Sequence, residues 1–211
     1  MGRVSSTQAC NIGTGPPVWT FATAGALQST VQHGPTRNTG ERMTAAHDRI
    51  YFQDRLRGNH CFGCGSENHK GLRLHSYWEG DESVCRFEPQ PHHSAMPLDI
   101  VNGGILAALV DCHCVCTAIA DAYRREGREV GEGEVIWYAT GSLQVNYRKP
   151  TPLKGPITVR ARVALVSSRK TFLDASLYSS EGELTVDGKV LAVRVPKEWA
   201  DPAGLLKHAR K

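Results

Sequence analysis

Between positions 102 and 123 the chain is apolar on nearly every face of a helix: Asn102-Gly-Gly-Ile-Leu-Ala-Ala-Leu-Val-Asp111, then Cys112-His-Cys-Val-Cys-Thr-Ala-Ile-Ala-Asp-Ala-Tyr123. A helix with no polar stripe is a buried helix. On either side the period changes from helical to two. Residues 72–78 and 83–88 alternate and predict two strands, joined through Glu79-Gly-Asp-Glu82. After the helix, 135–148 alternates, with Leu143, Val145 and Tyr147 on one face and Thr140, Ser142, Gln144 and Asn146 on the other. Pro150 and Pro152 end that strand. In 157–165 the apolar positions Ile157, Val159, Ala161, Val163 and Leu165 oppose Arg160 and Arg162. Residues 172–178 and 190–195 complete the set, with turns at Glu181-Gly182 and Asp187-Gly188. Two strands, one buried helix and three or four further antiparallel strands make an α+β fold in which the sheet wraps the helix.

The N-terminal stretch is different in kind. The first forty residues hold no Asp or Glu and ten Ser/Thr. Such a segment cannot build a core. Residues 1–50 are therefore expected to be a tail, 51–200 the folded domain and 201–211 a second tail. An organelle transit peptide is acid-poor, Ser-rich and Arg-rich, and Arg is sparse here. A start at Met43 is an equal alternative. A cytoplasmic location is the expectation.

Composition narrows the field. Of 211 residues, 40% are hydrophobic, enough for one core, and the net charge is only +4. No dense Lys/Arg run points to nucleic acid. The longest unbroken apolar run of the helix, 105–110, does not suggest a membrane partner. Seven cysteines, an odd number with three crowded into one helix, read as free thiols in a reducing compartment.

Three features carry chemistry. Gly103 and Gly104 expose backbone N–H groups at a helix start, where developing negative charge is favoured. The competing reading is an ordinary N-terminus capped by Asn102. Asp111 is a carboxylate in a buried helix, expensive unless compensated; it either does chemistry or bonds a neighbour and orders the core. Cys61 and Cys64 form a single CxxC with His60 and His69 nearby, half of what a zinc site requires. The helical group Cys112, His113, Cys114 and Cys116 has neighbours on diverging faces and reads as a poor chelate. No metal and no cofactor are expected. His113 reads as a satisfied core histidine. His92 and His93 sit in the loop before the helix, where one could approach a substrate.

Two motifs resemble a known family. Cys61-Phe-Gly-Cys-Gly65, followed by Asn68 and Gly71-Leu-Arg-Leu74, is similar to the N-terminal signature of the PaaI-like branch of hotdog-fold acyl-CoA thioesterases. Val101-Asn-Gly-Gly-Ile-Leu-Ala-Ala-Leu-Val-Asp111 is similar to that family's His-Gly-Gly…Asp helix, and 143–150 to its site-closing strand. The resemblance covers about 55–197. It implies an antiparallel sheet around a central helix, a homodimer or tetramer with sites between subunits, and hydrolysis of acyl-CoA. It implies that the Gly103 N–H binds the oxyanion and that Asp111 acts as general base or nucleophile. It implies that Thr140 stands where some relatives carry a Ser that orients water. Arg148, Lys149, Arg169 and Lys170 lie at strand ends where the phosphates of coenzyme A could bind. Two positions depart from the pattern: Asn102 replaces the usual His, and Met96 stands where some relatives carry Asn or Gln. The alternative on the same fold is a protein that binds acyl-CoA without cleaving it.

Overall fold

The computed structural model describes residues 49–96 and 99–200; the tails expected at 1–50 and 201–211 lie almost wholly outside the described residues. Six strands and a long helix form the domain: β1 (Ser76–Glu79), β2 (Glu82–Phe87), α1 (Gly103–Arg125), β3 (Tyr138–Tyr147), β4 (Ile157–Ser167), β5 (Lys170–Tyr178) and β6 (Leu184–Arg194). A short helix, α2 (Lys197–Ala200), follows. The strands form one sheet in the order β1-β2-β4-β5-β6-β3, antiparallel throughout. α1 touches β1, β3, β4, β5 and β6, so the sheet wraps it as the all-round apolar pattern requires.

The concave face is built by alternation. Ile157, Val159 and Ala161 of β4, Leu173, Ala175 and Leu177 of β5, and Val186, Val190 and Ala192 of β6 are all buried. They meet Leu109, Val110, Cys114 and Ala118 of α1, each inaccessible to solvent. By length and composition α1 would pass for a membrane span, yet 61% of its apolar window is buried inside the domain. It is the core of the fold.

Gly188 lets the helix lie this close. A Cβ built there would meet Gln144 O at 2.9 Å and Val110 Cγ1 at 3.0 Å. Neither a paired strand carbonyl nor a core valine can retreat far. Gly188→Ala is therefore expected to cost about 1–3 kcal/mol, read as a lower denaturant midpoint at unchanged slope. An unchanged midpoint would show the contact to be slack.

This also corrects the expected strand ends. Asp187-Gly188 is not a turn but lies inside β6, which runs back to Leu184; the turn is at Gly182, where φ is +79°. β1 is shorter than the alternation of 72–78 predicts. Arg73 has φ +52°, which breaks an extended run. Leu72 and Leu74 are buried all the same, because their N–H groups bond Phe62 O (2.7 Å) and Gly63 O (3.0 Å) in the loop carrying the CxxC.

His113 is the core histidine expected. Its Nδ1 bonds Ser76 Oγ at 2.8 Å and its Nε2 bonds Ser83 Oγ at 3.1 Å. Full burial pushes its pKa down to about 4. The neutral ring orders the β1–β2 hairpin against α1.

β3 is the outlier. It pairs with β6 along one edge only, and six consecutive residues, 139–144, are exposed. Leu143 and Tyr147 of its apolar face remain 39% and 53% accessible. An edge strand with six consecutive exposed residues is an invitation to pair.

Candidate active site

The start of α1 is pinned from outside the helix. Val101 N–H donates to Thr151 O and Asn102 N–H to His93 O, both at 2.9 Å. Asn102 then caps the helix: its side-chain oxygen accepts from Gly104 N–H at 2.8 Å. The two candidate donors are thus separated. Gly104 N–H is committed to the cap, contrary to the expectation that both glycines are available. Gly103 N–H, the first of the helix, has no intrahelical acceptor. Tyr147 stands over this spot; its hydroxyl donates to Gly103 O at 2.7 Å, and its ring is 3.4 Å from where a Gly103 Cβ would be. The sequence reading counted Tyr147 only as an apolar strand position. Its place four residues past Leu143 on the site-closing strand was the available signal.

Asp111 lies two turns further along α1, half-buried, on the wall of a cavity of about 170 Å³. Thr140, Trp137, Ile119, Cys61 and Cys64 share that wall. Thr140 Oγ1 donates to Asp111 Oδ1 at 2.6 Å, so the residue singled out through the family resemblance is in contact with the acid. Burial pushes the Asp111 carboxyl above its ordinary range; the Thr140 bond pulls it back, and negative charge at Cys64 pushes it up again. No cation pairs with Asp111 among the described residues.

Asp121, a second acid on the same helix, shows the contrast. It is more deeply buried than Asp111 but is held by Arg125 at 2.7 Å and Arg124 at 3.8 Å. Asp121 is a structural ion pair near a helix C-terminus. Asp111 is an uncompensated acid facing a cavity.

The expected substrate contacts are only partly brought together. His93 is buried, and its Nδ1 accepts from Gln90 N–H at 2.9 Å; it braces its own loop and is not a free substrate ligand. Met96 is 94% exposed and does not line the cavity. The four cations divide into two pairs. Arg148 binds Asp187 and Lys149 binds Glu183, near the start of β6. Arg169 donates twice to Arg194 O, at 3.0 and 2.7 Å, at the other end of β6, with Lys170 beside it. Thr185, which accepts from Arg148 N–H, is nine residues from Arg194, about 30 Å along a strand. One chain therefore does not gather these cations around a single phosphate group.

The cysteines fall differently from the sequence expectation. Cys112 and Cys116 are one turn apart and share a helical face rather than diverging. That face meets the CxxC loop: the sulfurs of Cys61, Cys64 and Cys112 lie within 4.8 Å of one another. All described cysteines are free.

A long helix wrapped by a six-stranded antiparallel sheet, with an acid facing a cavity from its middle, defines a hotdog fold. In sequence the chain is similar to acyl-coenzyme A thioesterase THEM4 of Rattus norvegicus, 28% identical over 98 residues, 46% of this chain and 36% of that protein. It is similar also to THEM4 of Bos taurus, 24% identical over 134 residues, 62% and 49% of the two chains. The chain spans only about a third to a half of the length of these relatives. A thioesterase structure from Haemophilus influenzae superposes with a TM-score of 0.51 at 15% identity, over 64% of this chain and 86% of that one, which establishes the shared fold. No protein-family model matches the chain.

Proposed function

We propose that the chain hydrolyses acyl-CoA thioesters to the free acid and coenzyme A, working as a homodimer or larger homo-oligomer. The observation that carries this reading is Asp111: half-buried, without a cation, on a cavity wall and oriented by Thr140 at 2.6 Å. The Thr140 bond occupies one carboxylate oxygen and leaves the other to take a proton from water or to attack the thioester carbonyl itself. Either path forms a tetrahedral oxyanion, which the Gly103 N–H at the positive end of α1 stabilises. Collapse expels the thiolate of coenzyme A; on the nucleophilic path this leaves a mixed anhydride on Asp111, which water then hydrolyses to the free acid and the restored carboxylate. The similarity to two acyl-CoA thioesterases points to the same substrate class.

Gly103 and Asp111 are eight positions apart on one helix, about 12 Å along its axis. A single carbonyl cannot meet both in one subunit. The reading therefore requires Gly103 of one copy and Asp111 of another. The bare edge of β3 supplies a surface for that pairing. The small cavity, about 170 Å³ against the 300–1,000 Å³ usual for ligand sites, fits a site of which one subunit builds half.

The test is thiol release from a panel of short, long and aromatic acyl-CoAs, with binding measured in parallel. Turnover of at least one acyl-CoA above the uncatalysed rate is expected. Tight binding with no release across the panel would replace the enzyme with an acyl-CoA carrier. The carrier reading has one observation in its favour: Asn102 is committed to capping and brings no titratable group to the helix start.

A further inference from the structure

The thiols beside the cavity are arranged as a chelate. Two come from a tight loop: Cys61 O accepts from Gly65 N–H at 2.9 Å, which folds Cys61 and Cys64 toward one side. Two come from one face of α1, Cys112 and Cys116, four residues apart. The loop approaches the helix so closely that a Cβ on Gly63 would collide with the Cys112 sulfur. Cys61 Sγ and Cys112 Sγ are 3.7 Å apart. Four sulfurs at about 2.3 Å around a tetrahedral zinc ion stand about 3.8 Å from one another. A disulfide needs about 2.05 Å. The sulfurs of Cys61, Cys64 and Cys112 lie within 4.8 Å of one another, Cys116 stands one turn further along the same helical face, and Cys64 Sγ also accepts from Asn59 Nδ2 at 3.6 Å. Asn59 is itself buried and donates to Cys64 O at 3.1 Å, the kind of outer-shell bond that orients a thiolate ligand.

We propose that Cys61, Cys64 and Cys112, with Cys116 one turn along the same helical face as the fourth ligand, form a structural thiolate site for a soft divalent cation, zinc above all. Thiolate ligands and tetrahedral geometry select zinc over magnesium, calcium or manganese. The remaining described thiols, Cys85 and Cys114, are buried and stand apart from the cluster; burial pushes Cys85 up to about 12. The ion would clamp the 61–74 segment to the middle of α1, one residue from Asp111, and fix one wall of the cavity. This proposal does not rest on thioester hydrolysis, and its test does not measure it.

The full chain, reduced and stripped of metal, is titrated anaerobically with cobalt(II). One equivalent is expected to give the intense visible bands of tetrahedral cobalt with sulfur-to-cobalt charge transfer, both abolished by one equivalent of zinc. Cys64→Ser is expected to weaken binding more than about 100-fold, beyond the cost of losing an outer-shell partner. Cys116→Ser is expected to keep binding but lose about one part in four of the charge-transfer intensity. Cys85→Ser and Cys114→Ser leave both unchanged. A wild-type spectrum without charge transfer overturns the site. So does equal loss of binding in Cys85→Ser and Cys64→Ser, or a disulfide in the purified chain with no cobalt uptake after reduction.

Discussion

Asp111→Asn is expected to lower kcat/KM for acyl-CoA hydrolysis by about 10²–10⁴, the range a positioned general base contributes. The substitution is close to isosteric. The Asn side-chain oxygen still accepts from Thr140 Oγ1, which lies 2.6 Å from Asp111 Oδ1 in the parent. Packing and the Thr140 contact survive while the base or nucleophile is lost. KM should move little. Stability should hold or rise, because an unpaired, half-buried acid costs free energy that an amide does not. A variant that folds, binds acyl-CoA and releases thiol at the parental rate would remove Asp111 from the chemistry and demote it to an orienting core residue.

The second large effect tests where the two catalytic groups come from. Gly103 is the first residue of α1, the helical position at which proline is tolerated. Asn102 has φ −59° and ψ 132°, a conformation compatible with a following proline. Gly103→Pro thus deletes one N–H and leaves the helix. Loss of an oxyanion donor predicts a fall of about 10²–10³ in kcat. Asp111→Asn and Gly103→Pro should each be nearly inactive alone. Unfolded and refolded together at equal amounts, they should recover about a quarter of the parental activity: half the dimers are mixed, and in each mixed dimer one of two symmetric sites is intact. Size-exclusion chromatography confirms that dimers re-form. Zero recovery from dimers that do re-form would place both groups in one subunit, against the 12 Å that separates them along the helix.

Much of this architecture is legible in the sequence, for identifiable reasons. The helix is visible because it lacks a polar face, and only a wrapped helix can. β4 and β5 are visible because one of their faces is core and the other solvent. Asp111 stands out as a charge in an apolar run, and Thr140 is found only through the family resemblance. What the sequence conceals is set by tertiary approach. Asp187-Gly188 looks like a turn, but here glycine serves the passage of α1 over β6. Leu72 and Leu74 look like strand residues, but they are buried against a loop. Arg148, Lys149 and Arg169 look free for phosphate, but each has a partner from a distant stretch of chain. Asp121 is easily taken for a second candidate acid, although Arg124 and Arg125, one turn on, are its partners. The four-residue spacing of Cys112 and Cys116 is plain, but nothing local shows that the Cys61 loop lies on that face.

β3 bears three loads at once. Near one end Thr140 holds Asp111; at the other Tyr147 covers Gly103; between them runs the uncovered edge. A strand with period two admits no half-steps: a slip of one residue turns every side chain to the wrong side. The contact proposed to join two copies and the contacts that aim the acid and the helix start are therefore set by the same register. Dilution of the protein is then not a neutral act. As copies separate, activity per chain and thermal midpoint should fall together along one concentration curve, because for such an assembly folding, docking and turnover share a single equilibrium.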